Sequence, residues 1–176
     1  HAYAPQKESD YTPVVGTTGD VFGKRKRLSI SDILALKERF DDVDIPQDGR
    51  YLVLNPKHVS DLIMFDVKAF KNILDIREGE PQRFAGFNIL QTSITPKYNA
   101  STFEKVAFGA ESSETDTFCS FAFHCDEVMK ADGQIYMYAR IDDPEERGTI
   151  VGFDKRFIAT PIRNKAIGAI VSTITE

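Results

Sequence analysis

Cys119, His124 and Cys125 fall within one short stretch and are the side chains best suited to chemistry. A thiol beside an imidazole could form a nucleophilic pair, and two thiols with an imidazole could begin a zinc site. The spacing serves neither use well. A structural zinc takes paired, closely spaced ligands from two knuckles, and only His1 and His58 remain to supply a fourth. On a strand, alternation would place Cys119, Phe121 and Phe123 on one face and Ser120, Ala122 and His124 on the other, so the thiol and the imidazole diverge. The two cysteines therefore read as small core or half-buried residues, and no metal or cofactor is expected. A cysteine-dependent hydrolase would require Cys119 or Cys125 to react quickly with a thiol reagent near neutral pH.

Two charged tracts come next. Lys24-Arg25-Lys26-Arg27 concentrates four cations, enough to recruit phosphate or nucleic acid in a salt-dependent way, and equally suited to a solvated linker. Asp142-Asp143-Pro144-Glu145-Glu146 offers carboxylates, but Pro144 between strand-like segments marks a hairpin tip whose charge is solvated. The glycines form no phosphate-cradling loop. No nucleophile, base and orienting partner can be nominated together, so the sequence does not read as that of an enzyme.

The 176 residues are enough for one domain or two small lobes with a real core. Hydrophobic residues make up 41% and charged residues 28%, as in ordinary globular chains, and the net charge of −5 argues against a chain devoted to wrapping nucleic acid or membrane phosphates. Two cysteines are too few for a disulfide framework and suit a reducing compartment. Neither a membrane span nor a signal peptide is expected. The chain begins with His1, which suggests that residues upstream were removed.

Residues 1–23 carry Pro5, Pro13, Gly16, Gly19 and Gly23, and such breaker density predicts an extended arm or linker ordered by a partner surface. Ser29 and Ser31 are rival N-caps, Asp32 suits the first helical turn, and Ile33, Leu36, Phe40 and Val43 mark a buried helical face. Pro46 and Gly49 then supply a turn, with Gly49 free to take positive φ, and Tyr51–Leu54 form a buried strand. Asn55 fits an N-cap and Pro56 the first position of a helix that buries Val59, Leu62 and Ile63. A second helical pattern spans Lys68–Arg77 and ends at Gly79 and Pro81. Phe84–Leu90 reads as one strand with Gly86 at a bulge or close approach, and Ser93–Thr117 as a long functional or mobile loop. Strands follow at Phe118–Phe123, Gln134–Ile141, Thr149–Ile158 and Ala166–Ile174, with a short helix at Asp126–Ala131 and antiparallel pairing among the strands.

In this order the segments resemble the major capsid (coat) proteins of tailed bacteriophages, which share the Johnson, or Hong Kong 97-like, fold. The resemblance runs from Thr17-Thr18-Gly19 through the basic stretch Lys24 to Arg27 and Ser31-Asp32. It is most specific from Ile45-Pro46 through Gly49-Arg50-Tyr51-Leu52-Val53-Leu54 to Pro56. Phe121-Ala122-Phe123-His124, Gly133-Gln134-Ile135, Gly148-Thr149-Ile150 and Arg163 to Gly168 are similar to the family's returning C-terminal strands.

The resemblance implies an α+β fold in which the helix-turn-strand-helix unit packs on a mixed sheet, with antiparallel C-terminal strands. The implied organisation is an arm at 1–23, an axial-type α/β lobe at 24–117, and β-rich returning strands at 118–176. Family members are longer, so the implied chain is the C-terminal portion of a coat protein. Pro46, Gly49, Arg50, Asn55 and Pro56 would be structural, and Lys24, Arg25, Lys26 and Arg27 would contact DNA or a neighbour. The implied role is a shell subunit in the virion capsid of a phage or prophage, assembled in the bacterial host cytoplasm. Its partners would be copies of itself in pentamers and hexamers, packaged double-stranded DNA, and scaffold or portal proteins. The 1–23 arm and the 93–117 loop are the expected contact segments. The alternative, in a different class, is a phosphate- or nucleic-acid-binding module built on Lys24 to Arg27.

Overall fold

The computed structural model describes residues 1–65, 83–143 and 148–174. The helical pattern at 68–77 with its stop at Gly79 and Pro81, and residues 144–146 of the acidic tract, lie outside the described residues. In chain order the elements are β1 (Val14–Gly16), β2 (Val21–Phe22), β3 (Arg25–Lys26), α1 (Ile30–Asp42), β4 (Arg50–Leu54), α2 (Pro56–Phe65), β5 (Arg83–Phe84), β6 (Phe87–Gln91), β7 (Lys97–Asn99), β8 (Asp116–His124), a 3-10 turn at Cys125–Glu127, β9 (Val128–Asp143), β10 (Gly148–Pro161) and β11 (Ile167–Val171).

Seven strands form one mixed sheet in the order β1-β11-β8-β4-β6-β5, with β7 pairing the first residues of β8. β4 runs parallel to β6, and β1 parallel to β11, while β8 is antiparallel to both of its long neighbours. Alternation sorts the core into two layers. Leu52 and Leu54 of β4, Ala122 of β8 and Ile170 of β11 meet Ile33, Leu36 and Phe40 of α1 and Val59 and Leu62 of α2. On the opposite face Val53, Cys119, Phe121, Ala169 and Val171 meet Ala4 and Tyr98. Gly168 lets α1 approach β11, because a Cβ there would lie 2.9 Å from both Leu36 Cδ1 and Phe40 Cε2.

Ser29, not Ser31, caps α1. It forms a capping box with Asp32, whose carboxylate also accepts from Thr18 N (3.1 Å) and Thr18 Oγ1 (2.6 Å). The Thr17-Thr18-Gly19 and Ser31-Asp32 segments are thereby joined. This contact is part of a larger departure from the expected arm ordered by a partner. β1 pairs with β11, Ala4, Pro5, Thr12, Pro13 and Thr17 are buried, and Tyr98 Oη donates to Pro5 O. The surface that orders residues 1–23 is in the same chain.

Other local expectations change for identifiable reasons. Phe84–Leu90 is two strands, because Ala85 (φ 49°) and Gly86 (φ 82°) both take positive φ and turn the chain into a tight hairpin. Within Ser93–Thr117, β7 pairs with β8 and Tyr98 is fully buried, so residues 96–100 are packed against the sheet while 107–115 stay exposed. The short helix at Asp126–Ala131 reduces to the 3-10 turn, after which β9 takes over its residues by pairing with β10. Ile63 is 42% exposed, since the inward stripe of α2 takes His58 and Asp61 beside Val59 and Leu62.

β9 and β10 form a separate two-stranded antiparallel hairpin of 16 and 14 residues. Its base is held by Ile162 N donating to Glu127 O (2.8 Å), by Arg163 Nε on Glu127 Oε2 (2.9 Å), and by Tyr3 Oη donating to Met129 O (3.3 Å).

Candidate functional site

The Pro46–Pro56 segment is built around a buried guanidinium. Gly49 takes φ 83°, as the turn requires, and a Cβ there would lie 2.6 Å from Cys125 Sγ. Arg50 then turns back beneath the loop, where its side chain is fully buried. Nε donates to Pro46 O (2.9 Å), and Nη2 donates to Ile45 O and pairs with Asp41 Oδ1 (2.7 Å). The rings of Phe40 and Phe87 lie 5.7 and 5.9 Å from Cζ, while Nη1 is buried without a hydrogen-bond partner. The Asp41 carboxyl is held below the usual carboxylate range by hydrogen bonds from Lys37 and then Arg50, against some desolvation. Arg50 thus ties the end of α1 to the turn and β4. On the far side of β4, Asn55 Oδ1 accepts from Lys57 N (3.0 Å), the expected cap of α2.

The basic run does not present four free cations. Arg25 grips the buried carboxylate of Asp61 in a bidentate pair, with Nη1 at 2.6 Å and Nη2 at 2.8 Å. Arg27 Nε lies 3.9 Å from the same carboxylate, and its guanidinium sits 4.5 Å from the centre of the Phe22 ring. Asp61 also accepts from Leu28 N (3.2 Å). Lys24 is exposed and Lys26 half-buried. A cleft of about 550 Å³ lies among Phe22, Lys24, Arg27, Lys57 and Ser60. Asp61 was invisible to sequence reasoning as a partner, because it lies more than 30 residues from the run it neutralises.

Cys119 and His124 follow the alternation, whereas Cys125, expected in the core or half-buried, lies exposed in the turn after β8. Cys119 is buried on the face covered by Ala4 and Tyr98, and burial pushes its thiol well above its ordinary pKa. His124 lies on the other face, where Nε2 is 2.7 Å from Asp48 O and Nδ1 accepts from Asp126 N (3.3 Å). Cys125 and Asp126 come close enough to His124 to suggest metal ligands. Both ring nitrogens are already engaged, however, so His124 has no lone pair to offer unless the turn opens. The Cys125 thiol is also raised by desolvation and by its hydrogen bond to Asp126, the reverse of what a reactive thiolate needs.

One buried polar cluster was not anticipated. His58 spans two hydroxyls, with Nδ1 2.6 Å from Ser120 Oγ and Nε2 2.7 Å from Ser172 Oγ, and Ser120 Oγ also accepts from Asn55 N (3.0 Å). The chain clamps α2 to β8 and to the segment after β11. Its sequence signal was the position of His58, three residues after the cap Asn55 and beside Val59 on the inward stripe. Burial lowers the His58 pKa to about 4, with Asp61 opposing and Arg25 reinforcing the shift.

In the unfolded chain the ring titrates near pH 6.5, so between pH 6.5 and about 4 the unfolded state binds the extra proton. Stability from this group is therefore complete above pH 6.5 and is lost as pH falls toward 4, by on the order of 3 kcal/mol. Denaturant unfolding at pH 7 and pH 4.5 should show this loss in the native sequence. H58Q should lack that share of the pH dependence, and an equal slope in both proteins would contradict it.

No family model matches the sequence, and no curated protein matches it. Solved structures do. A chain of the capsid structure of the cyanophage P-SCSP1u aligns over 90% of this chain with a TM-score of 0.59 and 18% identity. A structure from Mycobacterium phage Che8 aligns over 92% with a TM-score of 0.55 and 12% identity. The asymmetric unit of the bacteriophage PhiM1 mature capsid aligns over 91% with a TM-score of 0.54 and 13% identity. The chain spans about half the length of these matched chains, 53%, 53% and 51% respectively. Its α+β architecture is the fold of these phage structures.

Proposed function

We propose, from this shared fold, that the chain is a structural subunit of an icosahedral phage or prophage head, self-assembling into capsomers that enclose double-stranded DNA. The observation that carries the reading is the alignment of nine-tenths of the chain with phage structures, two of them of capsids. The site geometry agrees. Asp61, Asp32 and His58 join segments distant in sequence, Arg50 braces the turn between α1 and β4, and none presents a reactive group to solvent. Function in this reading is area burial and closure, with no bond chemistry. Scaffold or portal proteins would be further partners, the virion capsid its location, and the host cytoplasm its place of assembly. No described helix is long and apolar enough to cross a membrane.

The test is to express the complete reading frame that contains this chain and examine its product by sedimentation and electron microscopy. Closed shells or capsomer rings are expected, and a strictly monomeric protein at high concentration would overturn the proposal. The alternative, a nucleic-acid-binding module on Lys24 to Arg27, is weakened by the bidentate commitment of Arg25 to Asp61. Tight, steeply salt-dependent DNA binding by the monomer would revive it.

A further inference from the structure

The cleft between the β2–β3 hairpin and α2 holds charge that the Arg25–Asp61 brace does not use. Lys57, Ser60, Asp61 and Met64 recur at three- and four-residue spacings and line it with one face of α2, opposite Phe22, Lys24 and Arg27. Arg25 and Asp61 neutralise each other, which leaves Lys24, Arg27 and Lys57 against the exposed Glu114. Lys24 has no partner among the described residues, and Lys57 Nζ lies over the Phe118 ring, 3.8 Å from its centre. Arg27 is the sharper case. Its side chain is 24% exposed and lies on the Phe22 ring, yet among the described residues it donates no hydrogen bond, and its buried Nε is 3.9 Å from Asp61. A planar fork with its donors unused matches an anion with two oxygens in a plane. Beside this charge the walls are apolar: Phe22 is 58% and Met64 66% exposed, and Ile174 also lines the cleft.

We propose that this cleft binds an acidic peptide segment of a different polypeptide, with a carboxylate on Arg27 between Lys24 and Lys57 and a neighbouring apolar side chain against Phe22 and Met64. The cleft stands on its own geometry, and only the assignment of the peptide to an assembly protein of the head rests on the shell-subunit reading. Three features favour a peptide over nucleic acid. A volume of about 550 Å³ is that of a few side chains. Glu114 in the wall and the net charge of −5 oppose a polymer charged at every nucleotide, while one or two carboxylates fit among three cations. Phe22 and Met64 match an apolar side chain, which a phosphate backbone does not offer.

The test uses the fraction of the complete reading frame's product that sediments as single subunits, where no neighbouring copy covers the cleft. Fluorescence anisotropy follows binding of the rhodamine-labelled peptide Gly-Ser-Glu-Leu-Glu-Leu-Ser-Gly. The controls are the same peptide with Gln for Glu, the same peptide with Ser for Leu, and a thymidine oligonucleotide of similar length. The Glu-Leu peptide should bind most tightly. Arg27→Gln should weaken it roughly ten- to hundredfold, and Lys57→Ala and Met64→Ser severalfold, while Lys155→Ala on β10 leaves it unchanged. Lys57 and Met64 are exposed, so their variants carry the test even where Arg27→Gln disturbs the fold. No binding at millimolar peptide, tighter binding of the oligonucleotide, or an affinity indifferent to all three cleft variants would overturn the proposal. Electron microscopy of the same product separates the two claims. Peptide binding by a product that forms no shells would keep the cleft and remove the head, and shells from a product whose subunits ignore the peptide would remove the cleft and keep the head.

Discussion

Arg50→Ala should destabilise the folded chain by about 3–5 kcal/mol, read as a lower denaturation midpoint with an unchanged m-value. The guanidinium has no exposure, and its hydrogen bonds to Pro46 O and Ile45 O serve backbone carbonyls of a turn that no strand or helix pairs. Truncation leaves those carbonyls without their donor, removes the partner of Asp41, and opens a cavity between Phe40 and Phe87. Arg50→Lys should recover only part of the loss, because one ammonium cannot reach both carbonyls and the Asp41 carboxylate with the geometry of the planar fork. Asp41→Asn should cost less than either, since its side chain is 35% exposed and water can replace it. A near-native midpoint for Arg50→Ala would mean that the turn holds itself, and that the Pro-x-x-Gly-Arg pattern has another origin.

The second large effect separates structure from nucleic-acid binding within one tract. Arg25→Ala should cost about 3 kcal/mol, because it strands a carboxylate whose side chain is 4% exposed, with only Leu28 N and the distant Arg27 left to compensate. Asp61→Asn should cost less. Arg25 is 21% exposed and can turn to water, while the amide oxygen still accepts from Leu28 N. Lys24→Ala should lie within about 0.5 kcal/mol of the native protein. Equilibrium unfolding of the three variants checks the order. If Arg25→Ala and Lys24→Ala were equally mild, and both weakened DNA binding, the run would be a phosphate contact and not an internal brace.

The parts legible in the sequence share a physical cause: their signals lie within a few residues. The Pro46–Gly49 turn, the Asn55–Pro56 helix start and the buried stripe of α1 each depend on backbone preferences and a 3.6-residue period. The divergence of Cys119 and His124 followed from the two-residue period of a strand, whatever that strand paired with. The order of such segments was also enough to suggest the fold that the phage structures share.

What tertiary structure alone decided is which distant group meets which. Nothing local to Val14–Gly16 says that it will lie against Ile167–Val171, and without that strand the breaker-rich segment reads as an extended arm in need of a partner surface. The same holds for Tyr98, His58 and Asp61, polar or amphipathic residues whose burial is tolerable only because a partner arrives from elsewhere: Pro5 O, two serine hydroxyls, and Arg25. Local periodicity sets which way a side chain points, and only the packed chain supplies the atom waiting there.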